Sequence, residues 1–274
     1  MKTYLLISGA TGGLGSAFVF ECARRGYNLF LTDMREDVTG FAEYIARTFN
    51  IEVQSRTCDL SSLQSRSEFF NSIKGEGRRF WGLINVAGTD FEGAFLDRSR
   101  DQILHLIHLN VEATVDMSHE IIKLRDPDKK FMLINVCSLA AISPMPYKAT
   151  YAATKRFLLD FSRAIREEII DFGTVTALCP AGLPTTPETM ERIFAQGFWG
   201  KITAEDTRQV ARRTIDHALK GHAVYIPGWI NQVMQLLGSF LPVSVTTKLV
   251  GNRWRSAQQE INPWQEYIRF VKPI

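Results

Sequence analysis

Tyr151 and Lys155 stand four residues apart in "YAATK", within a run that reads as helix. Residues at that spacing share one helix face, so a phenol and an ammonium can point into one cleft. A tyrosine has a reference pKa near 10, so forming its anion at pH 7 costs roughly 4 kcal/mol. A neighbouring cation lowers that cost and makes the pair a candidate acid/base device. The same spacing also arises on any amphipathic helix, so the rest of the chain must decide between the two readings.

A second chemical signal is the glycine turn "SGATGGLG", residues 8–15, between an apolar run and a helical pattern. A strand, a glycine turn and a helix in that order let the backbone approach a pyrophosphate, whose charge then meets the helix N-terminus. The common GxGxxG spacing is absent; the glycines are Gly9, Gly12, Gly13 and Gly15. Asp33 follows 18 positions after Gly15, at the end of the second apolar run. An acidic group there accepts hydrogen bonds from an adenosine ribose and repels a 2′-phosphate. NAD(H) is therefore favoured. Arg35 can receive a 2′-phosphate, so NADP(H) stays open.

These residues need a frame to position them. Short apolar runs at 3–8, 28–32, 52–58, 81–86, 130–136, 174–179 and 223–227 read as strands. Between them lie helical patterns near 13–25, 38–49, 62–74, 98–124, 148–171 and 204–220. Strict alternation implies an α/β fold: a Rossmann-like, doubly wound parallel sheet of seven strands with helices on both faces. No repeat or linker divides the chain, which is expected to form one domain over 1–274 with an apolar helical extension at 228–274.

Composition sets the outer bounds. The 274 residues are 45% hydrophobic and 22% charged, enough for a full core, and a net charge of +3 with no basic block excludes a nucleic-acid surface. Cys22, Cys58, Cys137 and Cys179 are far apart, with no CxxC pair, so no metal site and no disulfide are expected. The opening apolar run at 4–7 is too short for a signal peptide. These features lead to the expectation of a cytoplasmic protein. His105, His108 and His119 recur on the long helix without ligand partners and read as packing or exposed residues.

The sequence resembles the short-chain dehydrogenase/reductase family over roughly residues 3–227. The family's TGxxxGxG turn matches "SGATGGLG", with Ser8 for threonine; its NNAG matches "NVAG" at 85–88, with Val86 as a departure; its YxxxK matches Tyr151 and Lys155. Asp59 in "CDL", Asn110 in "HLNV" and Ser138 in "NVCSLAA" fall in the family's order. The resemblance implies hydride exchange between an alcohol or ketone and a nicotinamide cofactor. Tyr151 would be the acid/base and Lys155 its tuner and ribose ligand. Ser138 would hold the substrate oxygen, and Asn110 would anchor a relay water. Cofactor contacts carry over to Gly9, Thr11, Gly12, Gly13, Leu14, Gly15, Asp33, Asp59, Leu60, Asn85, Ala87 and Gly88. They continue to Tyr151, Lys155, Pro180, Leu183 and Thr185. A homodimer or homotetramer is usual in the family. In "PAGLPT", Ala181 replaces a customary glycine. Gly12 also fits the family's epimerase-type glycine spacing, but "NVAG" followed by Asn110 matches its compact oxidoreductases better.

The substrate end carries Phe91, Phe95, Pro144, Met145 and Pro146, then Phe194, Phe198 and Trp199 in a loop at 184–201 that resembles the family's substrate lid. These predict a lipophilic secondary alcohol or ketone, of hydroxysteroid or 3-oxoacyl type. No charged residue occurs from 223 to 247, yet its prolines and amides argue against a transmembrane span. Trp229, Ile230, Val233, Met234, Leu236, Leu237, Phe240 and Leu241 form an apolar stripe there. The stripe is expected to pack on the core or a subunit interface, with a substrate lid and membrane-surface docking as alternatives. The docking reading lacks the lysines and arginines such helices use. A dinucleotide-binding sensor or scaffold without catalysis is the remaining functional alternative.

Overall fold

The structure is a computed structural model that describes residues 2–185, 189–190, 203–252 and 254–255. Seven parallel strands form one sheet in the order β3-β2-β1-β4-β5-β6-β7. They are β1 (Thr3–Ser8), β2 (Leu29–Asp33), β3 (Val53–Thr57), β4 (Arg79–Asn85), β5 (Phe131–Val136), β6 (Gly173–Leu178) and β7 (Val224–Tyr225). Strand order reverses between β1 and β4, the place where an open parallel sheet leaves a crevice beyond its C-terminal strand ends.

Helices cover both faces, so the central strands are buried throughout; β1, β2 and β6 have no exposed residue. On one side, α1 (Gly13–Arg24), α2 (Val38–Phe49) and α7 (Thr207–Leu219) pack over Leu5, Ile7, Leu29, Leu31 and Ile134. On the other, α3 (Leu63–Gly75) and α5 (Ala113–Lys123) pack over Tyr4, Leu6, Phe30, Leu83 and Leu133. The alternation of Leu5 with Leu6 and of Leu83 with Ile84 between the two cores is the period-2 pleat of a strand buried on both faces.

The helix expected over 98–124 is not continuous. It runs as α4 (Arg100–Ile107), then a π-helical turn at His108–Glu112, then α5. The widened turn falls on Asn110, and such turns occur mostly at functional sites. A fully buried Arg66 on α3 braces it, donating to the Leu60 carbonyl (2.6 Å), to Asp116 (2.7 Å) and to Glu112.

The C-terminal stripe does not pack on the core of this chain, and its place in a subunit interface stays open. Helix α8 (Trp229–Ser239) turns its apolar residues outward: Trp229 is 73% exposed, Leu237 62% and Phe240 78%. Its buried contact is polar, through Asn231, whose amide needs the backbone carbonyls beneath it. A further helical run starts at 243. No described helix is long and apolar enough to cross a membrane.

Candidate active site

The glycine turn is dictated by contact. Gly9 has φ +63°, and a methyl group there would lie 2.9 Å from the Ala87 backbone; at Gly15 it would lie 1.9 Å from the Gly9 carbonyl oxygen. Ser8 stitches this turn to the loop after β4, its hydroxyl accepting from Val86 N–H (3.1 Å) and Ala87 N–H (3.4 Å). Helix α1 begins at Gly12 with no side-chain cap and no acidic residue in its first turn. Its first N–H groups and positive dipole end are therefore available to an anion, with Thr11, Gly13 and Leu14 at the rim. Gly13 packs on Thr185, where a methyl group would come within 2.6 Å of the threonine Cβ. The loop carrying Leu183 and Thr185 thus closes over the glycine turn, while the Pro180 carbonyl accepts from Leu139 N–H (2.9 Å).

Asp33 ends β2 at the same edge. Burial pushes its carboxyl up, but the N–H groups of Thr11 (3.0 Å) and Arg35 (3.2 Å) bond the carboxylate and hold it below the usual range. The Arg35 guanidinium lies on the same oxygen at 3.4 Å. Asp59 turns its carboxylate onto the N–H (2.9 Å) and hydroxyl (2.7 Å) of Ser61, shaping the entry to α3, and Leu60 is buried in the adjoining core. Asn85 differs from its neighbours in "NVAG". Its side chain donates to Ser118 (3.1 Å) and Asn135 (2.9 Å) inside the protein, so it ties β4 to β5 and α5. The uncapped helix start, the close-packed glycines and the strand-end aspartate at the sheet's switch point fit a dinucleotide, with pyrophosphate at α1 and adenosine ribose near Asp33.

Four chemical residues converge beside this crevice. Ser138 follows β5; Tyr151 and Lys155 lie on α6 (Ala149–Glu168), which packs on β6. The Lys155 ammonium is 5.7 Å from the Tyr151 ring centroid and donates to the Val136 carbonyl at 2.9 Å. Asn110 accepts from Thr89 N–H (2.9 Å) and donates to the Thr89 carbonyl (2.9 Å) and the Thr154 hydroxyl (3.2 Å). Gly88 lies between them: a methyl group there would be 3.0 Å from Asn110 Oδ1 and 3.4 Å from Lys155 Nζ. The π-helical turn thereby brings Asn110 to the loop that ends "NVAG".

Burial and the nearby Asp90 carboxylate push the Tyr151 phenol well above its ordinary value, against the opposing hydrogen bond with Ser138. Burial also pushes the Lys155 ammonium down. Desolvation thus works against the lowering of the Tyr151 pKa expected from Lys155.

Sequence reading missed a charged group against the tyrosine. Lys148, one turn before Tyr151, places its ammonium 5.5 Å from the Tyr151 ring centroid, 2.5 Å from Asp90 and 3.4 Å from Glu92. Only the burial of Lys148 could have marked it, and burial is a tertiary fact. A cavity of ≈ 40 Å³ lies beside Tyr151, lined by Phe91, Phe95, Ile103, Leu106, Tyr147 and Lys148. Phe194, Phe198 and Trp199 lie outside the described residues. Cys137, beside Ser138, is a buried free thiol; its hydrogen bond with the Cys179 thiol and its desolvation push its pKa well up. His108 pairs with Glu112 (2.6 Å) and His119 with Glu120 (3.0 Å).

Comparison with known proteins agrees with this arrangement. A family model for short chain dehydrogenase matches residues 3–194. Mouse 17-beta-hydroxysteroid dehydrogenase type 3 is 31% identical over 195 residues, which cover 69% of this chain and 62% of that protein. A very-long-chain 3-oxoacyl-CoA reductase of Laccaria bicolor is 28% identical over 171 residues, covering 61% of this chain and half (50%) of that protein. A solved 7β-hydroxysteroid dehydrogenase superposes with a TM-score of 0.79 at 22% identity, covering 90% of this chain and 96% of the other. With the sheet order, the glycine turn and the Tyr151–Lys155 pair in one crevice, the match over most of its length shows that the chain belongs to the short chain dehydrogenase family.

Proposed function

We propose that the protein interconverts a lipophilic secondary alcohol and its ketone with a nicotinamide dinucleotide, using Tyr151 as the acid/base. The observation that carries this reading is the convergence of Tyr151, Ser138, Lys155 and Asn110 beside the glycine turn. When bound, the cofactor supplies or accepts the hydride. Ser138 orients the substrate oxygen and donates a hydrogen bond to it as negative charge develops. Tyr151, held as a phenol, gives its proton to that oxygen in reduction and takes it back in oxidation. Lys155 holds the ribose and supplies positive charge as the phenolate forms. Asn110, fixed by Thr89 and Thr154, keeps Lys155 and Gly88 at their separation.

Asp33 is placed for the adenosine ribose, and the Arg35 charge is turned onto it, which favours NAD(H) over NADP(H). Phe91, Phe95 and Ile103 give the cleft an apolar wall. Lys148 has its charge matched by Asp90 and Glu92, so it offers no free cation to an anionic substrate. The apolar wall supports a lipophilic ketone, and Arg98, which also lines the cavity with its Nε unpartnered, leaves room for an acidic group on it. The test is a panel of steroids, bile acids and 3-oxoacyl thioesters, followed by cofactor absorbance with NAD(H) and NADP(H). Turnover of a panel member that vanishes in Tyr151→Phe is expected. Unchanged turnover in that variant removes Tyr151 from the mechanism.

A further inference from the structure

The cavity beside Tyr151 holds one charge that the chain does not answer. Of the two cations on its lining, Lys148 is spent on Asp90 (2.5 Å) and Glu92 (3.4 Å). The other, Arg98, is half-buried and takes part in none of the ion pairs among the described residues. Its Nε is buried and has no hydrogen-bond partner. A buried donor without an acceptor costs stability, and more so when it carries charge. Such a group calls for an acceptor from outside the chain.

Local structure holds the guanidinium at the cavity. Gly93 has φ +133°, a conformation that favours glycine, and a methyl group built there would collide with an Arg98 Nη. The missing side chain is the space that the guanidinium uses. The same glycine donates its N–H to the Tyr147 carbonyl (2.9 Å), which ties the Arg98 loop to the segment just before Tyr151. Arg98 N–H donates to the Phe95 carbonyl (3.3 Å), and Ser99 caps α4 by accepting from Gln102 N–H (3.2 Å). The start of α4 is therefore already satisfied, and the group on offer to a ligand is the guanidinium.

The chemistry of the lining selects the ligand. Phe91, Phe95, Ile103 and Leu106 surround the charge with apolar wall. An ion pair in such surroundings is less screened than one in water. A guanidinium presents parallel N–H groups that match both oxygens of a carboxylate, whereas a neutral carbonyl oxygen answers them less well. We propose that Arg98 is a specificity-determining residue that binds a carboxylate carried by the substrate, so that the substrate is a lipophilic keto acid or the matching hydroxy acid. That its ketone then reacts at Tyr151 rests on the function proposed above; the binding of the acid at Arg98 does not.

The test compares (ω−1)-oxo fatty acids of increasing length with their methyl esters, in the full chain and in Arg98→Gln. In wild type the best acid is expected to have a KM about tenfold below that of its ester. Arg98→Gln should raise the KM for that acid about tenfold and leave its kcat, and both constants for the ester, unchanged. Arg98→Lys, which keeps the charge and loses the fork, should recover part of the loss. Decanoate, which has no ketone, probes binding alone. Calorimetry should show it binding wild type about tenfold more tightly than Arg98→Gln, with the urea unfolding midpoint the same in both. Equal KM for acid and ester across the wild-type series overturns the proposal, as does a loss in Arg98→Gln that the ester shares. A loss confined to 3-oxoacyl-CoA thioesters assigns Arg98 to a phosphate and overturns it too. Decanoate binding that depends on Arg98, with no ketone turned over, sinks the enzymatic reading and keeps this one; esters turned over as well as acids do the reverse.

Discussion

The crevice around Tyr151 and the surface of α8 treat polar and apolar side chains in opposite ways. In the crevice, ionisable groups meet partners: Asp33 has Thr11 and Arg35, Lys148 has Asp90 and Glu92, and Lys155 has the Val136 carbonyl. Apolar side chains form its walls. On α8, the amide of Asn231 is buried and the rings of Trp229 and Phe240 face out. A low-dielectric site makes polar partners obligatory, whereas an outward apolar face costs little structurally and is meaningful only if something covers it.

Substitutions can break this contrast. The largest effect belongs to Tyr151→Phe, which removes the phenol bonded to Ser138 and should lower kcat about 10³-fold, while cofactor binding, followed by fluorescence, persists. Arg66→Met follows. It strips the brace under Asn110, leaving Glu112, Asp116 and the Leu60 carbonyl without their donor, and should cost about 3 kcal/mol in thermal or urea unfolding. Asp33→Ala should weaken NAD about tenfold and NADP less; the reverse order would reassign the cofactor. Asp90→Asn sharpens the electrostatic side. Burial and the Asp90 anion both disfavour the Tyr151 phenolate, so removing the anion lowers that pKa. Reduction needs the phenol, so its activity falls as pH rises through the Tyr151 pKa. The falling limb of the kcat/KM profile should therefore move to lower pH in Asp90→Asn. The smallest effect should be Leu237→Gln, within about 0.5 kcal/mol of wild type in water, because the side chain is already exposed. A loss as large as that of Arg66→Met would show that α8 is a core helix and would erase the contrast.

Much of the crevice was legible from spacing because its parts are local. "SGATGGLG" is a turn in which Gly12 and Gly15 pack on Gly9, and "YAATK" is one helical turn, while the contacts of Gly9 with Ala87 and of Gly13 with Thr185 came only with the fold. Asn110 was legible as a residue, but its π-helical turn was not; Arg66, which bonds Glu112 in that turn and Asp116 beyond it, comes from another helix. Lys148, Asp90 and Glu92 escaped notice for the same reason: 58 residues separate Asp90 from Lys148. Cys137 and Cys179, distant in sequence, meet because Val136 pairs with Leu178 in the register of β5 and β6.

The apolar stripe of α8 marks the boundary between the two kinds of information. Periodicity in the chain determined that a helix with one apolar face would form there, because side-chain spacing is a local property. Likewise, alternating apolar runs implied a parallel sheet, while the strand order and its reversal between β1 and β4 came with the tertiary structure. Which way the α8 face would turn was decided by tertiary structure alone. Asn231 is buried on the carbonyls of Pro227 and Thr203, while Trp229, Leu237 and Phe240 are exposed. The ionisation of Tyr151 follows the same rule. "YAATK" marks it as a candidate acid/base residue, but the upward push on its phenol comes from burial and from Asp90, brought beside it only by the fold.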